Sequence, residues 1–447
     1  MTNSTIAAIA SPPGTGAVAL VRISGPETSK VVDKVFRGKS HHDWIPRHQH
    51  FGSVLDSKGT KVDDVLLTYF PSPASFTGED VIELGCHGGV VVTKQVLNAV
   101  LEAGAEPAKA GEFSQRAFFN GRIDLTQAEA IMDLISAKTE LAAKAAHEQL
   151  KGILGKKIEN LREALVSVTA HLEAYIDFPE EDITPESADK LFERFDTIEA
   201  SLKRLLSTAD QGKILREGLK TVIMGAPNAG KSSLLNLFLG FDRAIVNEQA
   251  GTTRDTIEEL INLNGIPIRL IDTAGIRESE GEIEKEGIRR SQQELELAEL
   301  VLLVIDSSES RDRVNEIEIP KSTRVVRILN KSDLPSHRDW QGDPGVRFSC
   351  LDESAADIIR GILYREISTN GPIESASLTA INSRHQFCLG KALQSIEKAK
   401  TSLESGESAE FVAIDLRDAL GSVGEIIGKT DIEEILGEIF STFCIGK

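Results

Sequence analysis

Hydrophobic and polar positions along the chain fall into distinct textures. Over residues 1–120, short β-rich runs ("AVALVRIS", "DDVLLTYF", "DVIELG") are separated by Gly/Pro turns, with one helix-like stretch, "VVTKQVLNAVLEAG". That mixture predicts an α+β domain. Over 121–215 the period changes. Ile131, Leu134, Leu141, Leu150, Leu154, Ile158, Leu161, Leu165, Val168 and Leu172 mostly recur every three or four residues, as on a helix with one apolar stripe. Over 216–375, β-rich runs alternate with helical stretches, which predicts a parallel sheet covered by helices. Helical texture returns over 376–447 with Phe387, Leu393, Ile396, Leu403, Ile432, Ile435, Ile439 and Phe443. An α/β domain flanked by helical segments predicts an insertion into one helical domain. The fold class is therefore multidomain: α+β, then α, with a P-loop α/β domain interrupting the helices.

The strongest chemical signal is "LKTVIMGAPNAGKSSLLNLFLG". A β-branched run leads into GxxxxGKS, Gly225 to Ser232, and then into a helix-forming segment. Glycine lets backbone N–H groups wrap phosphates closely, and a helix N-terminus favours anions. Asn228, Ala229, Gly230, Lys231, Ser232 and Ser233 are the expected nucleotide contacts here. Lys231 would reach the β/γ-phosphates and the Ser232 hydroxyl would ligate Mg²⁺.

Later motifs extend the picture. "GTTRD" supplies Thr253 as a second Mg²⁺ hydroxyl. "ELINLNGIPIRLIDTAG" reads as two strands joined by an Asn264-Gly265 turn. It delivers Asp272 and Gly275 of a DxxG motif, with Thr273 and Ala274 between them. Asp272 can hold the Mg²⁺ shell through water, and the Gly275 N–H can meet a γ-phosphate. "VVRILNKSDL" is a strand ending in Asn330, Lys331 and Asp333 of an NKxD pattern. Asp333 can accept two hydrogen bonds from guanine that adenine cannot offer, at about 1.5–3 kcal/mol each. In this order, each at the end of an expected strand, the motifs imply a GTPase.

The residue after DxxG is Ile276, which cannot orient an attacking water. The following stretch, "RESEGEIEKEGIRRS", offers Glu278, Glu280, Glu282, Glu284 and Glu286. The pattern does not choose among them, and neither Arg254 nor Arg277 is assignable as an arginine finger.

Composition narrows the setting. The 447 residues are 40% hydrophobic and 27% charged, with net charge −19. An acidic chain lacks the basic footprint of a nucleic-acid binder, so RNA work needs a local patch or a partner. The four cysteines form no CxxC pair, which argues against a zinc site and for a reducing, cytoplasmic setting. No apolar run approaches the ~18 residues of a membrane span, and the first residues lack a basic start before their apolar run.

Several quoted stretches carry a resemblance: "SPPGTGAVALVRISG", "SFTGEDVIELGCHGG", "GEFSQRAFFNGRIDLTQAEAIMDLI", "YIDFPEEDI", "GAPNAGKSSLLN", "AGTTRDT", "DTAGIRE" and "FCIGK". Together they resemble the MnmE (TrmE) family of tRNA-modification GTPases over the whole chain. The resemblance implies an N-terminal domain that forms a homodimer and binds 5,10-methylenetetrahydrofolate, with 5-formyltetrahydrofolate as an analogue. It implies an FAD-dependent MnmG partner in a heterotetramer, and tRNA bound mainly through that partner. The product would carry an aminomethyl or carboxymethylaminomethyl group at C5 of a wobble uridine. GTP hydrolysis would depend on K⁺, held by Asn228 and by carbonyls of Asn247, Gln249 and Thr252. The loop also brings Glu248, Ala250 and Gly251 to the nucleotide, and Ser349 falls on the guanine side. The water-positioning role falls on Glu284. Arg22, Glu83, Arg122 and Lys447 match the folate contacts.

The match departs at two places. Relatives often carry Lys where this chain has Arg122, which keeps charge but not geometry. The usual Ser-Ala of the guanine side reads Ser349-Cys350. Two functional alternatives stand beside this reading: an Era- or Der-like ribosome-assembly switch, and a purely regulatory GTPase. The first would bring a basic RNA-binding module or a second GTPase domain, and the sequence holds one P-loop and an acidic C-terminal segment.

Cys444 raises a separate question. "CIGK" does not suit prenylation, because Gly446 is not aliphatic and the preceding segment is acidic. Two readings remain for Cys444: a helix-end thiol packed as a small hydrophobe, or part of a tail folded back on the N-terminal domain. Cys86-His87, in what reads as a Gly-rich turn, is not expected to form a catalytic pair.

Overall fold

The computed structural model describes residues 4–177, 188–240, 258–271, 295–311, 319–320, 323–367, 381–429, 436, 439–440 and 443–446. The chain divides into two compact units. One comprises Met1–Met132, Leu154–Ala188 and Lys398–Lys447, and the other Asp133–Ile153 and Asp189–Glu397.

In the first unit, β1 (Ile6–Ile9), β2 (Val18–Ser24), β3 (Phe36–Arg37), β4 (Gln49–Leu55), β5 (Lys61–Phe70), β6 (Val81–His87) and β7 (Glu106–Pro107) form one sheet. Its order is β3-β4-β5-β6-β2-β1-β7, and its neighbours are antiparallel except β1 and β7. The sequence runs read as strands are β2, most of β5, and β6. Helices α1 (Thr28–Val35) and α2 (Val90–Glu102) cover one face. Val31, Val32, Val96 and Val100 pack there with Val21, Ile23, Val65, Leu67, Ile82 and Leu84. The period of two sends alternate residues outward, so Phe51 and Leu66, directly opposed across β4 and β5, are exposed.

α3 (Glu112–Phe119) and α4 (Leu125–Ser136) follow. The start of α4 is a reciprocal cap. The Gln127 amide donates to Asp124 Oδ1 at 2.9 Å, and the Asp124 amide donates to Gln127 Oε1 at 3.0 Å. Then come α5 (Glu140–Leu150), α6 (Ile153–Asp177), α7 (Ala188–Leu206) and α8 (Ala209–Glu217). Thr139 caps α5 by accepting from the Ala142 amide. The expected stripe of α6 is buried: Leu154, Ile158, Leu161, Leu165, Val168 and Leu172.

In the second unit, β8 (Leu219–Met224) leads to α9 (Lys231–Leu239), followed by β9 (Glu258–Leu263), β10 (Ile266–Ile271), β11 (Leu300–Asp306), β12 (Arg324–Asn330), β13 (Val346–Arg347) and α10 (Ala355–Ile367). The sheet order is β13-β12-β11-β8-β10-β9, parallel except for β9. β9 and β10 form the expected hairpin. Asn264 and Gly265 take φ of 51° and 90°, as a tight turn matched to strand twist requires. Both sheet faces are buried, which is why the strands read as continuous apolar runs. Leu219, Ile223, Leu300, Leu302 and Val304 face α8, α9 and α10, while Val222, Met224 and Val301 meet Leu295 and Ala298 on the other side. Phe238 of α9 is fully buried, and its truncation to Ala would cost about 3–5 kcal/mol.

α11 (Ser383–Glu404) and α12 (Ala409–Ile427) close the described helices. Phe387 is not a core residue but is 62% exposed, with the Lys391 ammonium 4.4 Å from its ring centroid. Cys388, Leu389, Ala392, Ile396 and Ala399 form the buried stripe instead. A reading weighted toward large apolar residues passes over small ones that allow close packing. Ile432 and Ile435 lie outside the described residues.

Candidate functional site

β8 is the switch point of its sheet, because the chain continues to β10 on one side and to β11 on the other. Ligands of open parallel sheets bind at the carboxyl ends of the strands at such a point, and there β8 delivers the phosphate loop. Two glycines make that loop possible. A Cβ on Gly225 would stand 2.1 Å from the Val304 carbonyl oxygen of the adjacent strand, and one on Gly230 would stand 2.0 Å from Asn330 Nδ2. Gly230, with φ 103°, is the N-cap of α9.

Lys231 Nζ donates to the carbonyls of Gly225 and Ala226, both at 2.9 Å, so the ammonium lies over the loop. Ala229 is buried, while Asn228, Ser232 and Ser233 are exposed at the loop and the first turn of α9. Exposed hydroxyls at a helix N-terminus suit a phosphate and its cation.

The NKxD segment leaves β12 at the same sheet end. Asn330 is 2% exposed. Its Nδ2 donates to the Ala229 carbonyl at 2.8 Å and its Oδ1 accepts from the Cys350 amide at 3.0 Å. One side chain thus joins the phosphate loop, the NKxD loop and the Ser349-Cys350 segment. Lys331 takes φ 60°, a conformation costing about 1–2 kcal/mol for a residue with a Cβ. Its ammonium is paired with Asp306 Oδ2 at 2.5 Å. Burial opposes ionisation of Asp306, yet hydrogen bonds from Lys331 and Ser308 outweigh it and hold the carboxyl below its usual range. Asp333 is exposed, and Ser349 is buried with its hydroxyl accepting from the Leu351 amide.

Asp306 escaped the sequence reading. The available signal was an acidic residue ending an apolar strand next to the NKxD strand. Asn247, Glu248, Gln249, Ala250, Gly251, Thr252, Thr253, Asp272, Thr273, Ala274, Gly275, Glu284 and Lys447 lie outside the described residues.

In the first unit, Arg22 on β2 and Glu83 on β6 are register partners. Arg22 Nε donates to Glu83 Oε1 at 2.9 Å, and its Nη2 lies 2.8 Å from the same oxygen. Nη1 donates to the Gly446 carbonyl at 3.4 Å, and the guanidinium lies 5.8 Å from the ring centroids of Phe76 and Phe113. Arg122 is exposed beyond α3, its aliphatic stem beside Gly78.

Ile445 bridges Ala110 in an antiparallel pair, so the tail folds back on the N-terminal domain. Cys444 is exposed, not packed as a hydrophobe. Cys86 and His87 end a strand rather than lying in a turn. Cys86 faces the helix-covered core, where burial raises its thiol pKa, and His87 pairs with Asp63 at 2.7 Å.

A phosphate-loop motif and an NKxD motif brought to the carboxyl end of one parallel sheet mark a P-loop GTPase domain within the second unit. The family model described as "MnmE helical domain" matches residues 125–444, and "GTP-binding protein TrmE N-terminus" matches 5–122. A protein of Akkermansia muciniphila named tRNA modification GTPase MnmE is 48% identical over 99% of both chains. Its namesake in Natranaerobius thermophilus is 42% identical over 100% of both. The FeoB G-domain of Methanococcus jannaschii is 17% identical over 33% of this chain and 96% of its own, at TM-score 0.24. The chain belongs to the MnmE family. It is a GTPase whose helical domain is interrupted by the P-loop domain.

Proposed function

We propose that this GTPase acts in tRNA modification, adding an aminomethyl or carboxymethylaminomethyl group at C5 of the wobble uridine of certain tRNAs. It does so with an MnmG-like FAD-dependent partner in a heterotetramer, using 5,10-methylenetetrahydrofolate. The names of relatives matched over their full length support the tRNA part. The observation that carries the folate part is the meeting of Arg22, Glu83 and the Gly446 carbonyl, from stretches 424 residues apart at their extremes. A guanidinium, a carboxylate and two aromatic rings suit a flat heterocycle bearing an anionic tail. Arg122 and Lys447 complete that set. Residues 1–120 form the homodimer and the folate site. Segments 121–215 and 376–447 form the helical domain around the GTPase domain at 216–375.

In the GTPase domain, Lys231 and the α9 amides bind the phosphates, and Asn330, Asp333 and Ser349 form the base side. Ser232 and Thr253 offer hydroxyl oxygens to Mg²⁺. Asn228, Asn247, Gln249 and Thr252 offer amide and carbonyl oxygens to K⁺. These hard donors fit both ions. Bound there, the cations supply positive charge to the γ-phosphate oxygens. Glu284 orients the attacking water. The described residues include no helix long and apolar enough to cross a membrane, and we place the protein in the cytoplasm.

The test is GTP turnover in KCl and in NaCl at equal ionic strength. Faster turnover in KCl, lost in Asn228→Ala, together with a Glu284→Ala variant that binds GTP without hydrolysing it, is expected. Equal rates in the two salts would overturn the potassium reading.

A further inference from the structure

We propose that Asp306, the last residue of β11, is the positioning residue that orients Lys331 in the base-reading loop and so sets the affinity for guanine nucleotides. The inference rests on the reading of Asn330, Lys331 and Asp333 as that loop.

Asp306 and Asn330 are partners across β11 and β12, so the next residue, Lys331, emerges beside the carboxylate. Both oxygens of Asp306 are committed. Oδ2 takes the Lys331 ammonium at 2.5 Å. Oδ1 accepts from the Ser308 amide at 3.0 Å and from its hydroxyl at 2.6 Å. The carboxylate is therefore a fixed post, 13% exposed, not a mobile surface charge. An exposed ion pair contributes little because both partners must be ordered. Here Ser308 has already ordered one of them.

The same segment holds the backbone. The Ser307 hydroxyl and amide donate to the Asn330 carbonyl at 2.7 and 3.1 Å. Backbone and side chain of the loop are thus set from one turn after β11. Without Asp306, the four-carbon stem of Lys331 would sample many rotamers, and nucleotide binding would have to order it.

A double-mutant cycle on the full chain tests this. Binding of a fluorescent GDP analogue would be titrated for wild type, Asp306→Ala, Lys331→Ala and the double variant, with melting curves alongside. Each single change is expected to weaken binding about 5- to 20-fold, and the double change no more than the worse single one. KM for GTP should rise by more than kcat falls. Asp306→Asn keeps the Ser308 contacts and is expected to weaken binding in the same direction, which keeps the test open if Asp306→Ala does not fold. Additive losses, or wild-type affinity in both Asp306 variants, would overturn the proposal. Asp333→Asn, titrated with guanine and xanthine nucleotides, checks the underlying reading separately: an unchanged preference there would remove the base-reading loop itself.

Discussion

Asn330 donates to the carbonyl of Ala229, a residue 101 positions earlier in the chain, at 2.8 Å. With its second hydrogen bond to the Cys350 amide, this buried amide couples the phosphate loop to the base side. Asn330→Ala leaves the buried Ala229 carbonyl and the half-buried Cys350 amide without this partner, a cost of about 2–4 kcal/mol. The expected outcome is a lower melting temperature and a smaller rise on adding GDP. A variant melting like the wild type in both conditions would refute the coupling.

Gly230 marks where the same contact leaves no room. Gly230→Ala would set a methyl 2.0 Å from Asn330 Nδ2 in a backbone held at φ 103°. It is expected to cost about 2–3 kcal/mol and to abolish nucleotide-dependent stabilisation. Gly361 is the control. It lies within α10, and a methyl there meets nothing within 4 Å. Gly361→Ala should raise stability by about 0.5–1 kcal/mol, read from urea unfolding.

The four thiols should separate by reactivity. Cys444 is exposed and Cys388 is buried. Burial pushes the Cys350 thiol up to about 11 and raises that of Cys86. At pH 8 a thiol of pKa about 11 is thiolate roughly once in a thousand molecules. Ellman's reagent at pH 8 should give one fast phase that disappears in Cys444→Ser. The folded state favours neutral Cys350, so its contribution to stability is full below the ordinary thiol value of 9.0 and is lost as pH rises toward about 11. Cys350→Ser should flatten that alkaline decline; an identical slope in the variant would assign it elsewhere.

Arg22 and Glu83 form a largely buried pair, with side chains 19% and 21% exposed. Removing one partner strands the other charge. Arg22→Ala is expected to weaken binding of 5-formyltetrahydrofolate about 10- to 100-fold, measured by calorimetry on the full chain. Unaltered affinity would move the folate site away from this pair.

What the sequence determined alone was local. The β8 strand, the phosphate loop and the start of α9 were legible because strand period, glycine spacing and helix propensity act over a few residues. The Asn264-Gly265 hairpin and the α6 stripe were legible for the same reason. Arg22 and Glu83 could be named only through family resemblance, and register then paired them. Only the tertiary structure decided that Phe387 faces outward, that Cys444 is exposed on a tail laid against β1's domain, and that Asp306 grips Lys331. Those outcomes depend on which faces become buried and on which distant segments topology brings side by side. No period along the chain encodes a contact between residues 22 and 446; it exists because burying Phe440 and Phe443 with Leu125 and Ala128 carries the tail to the sheet.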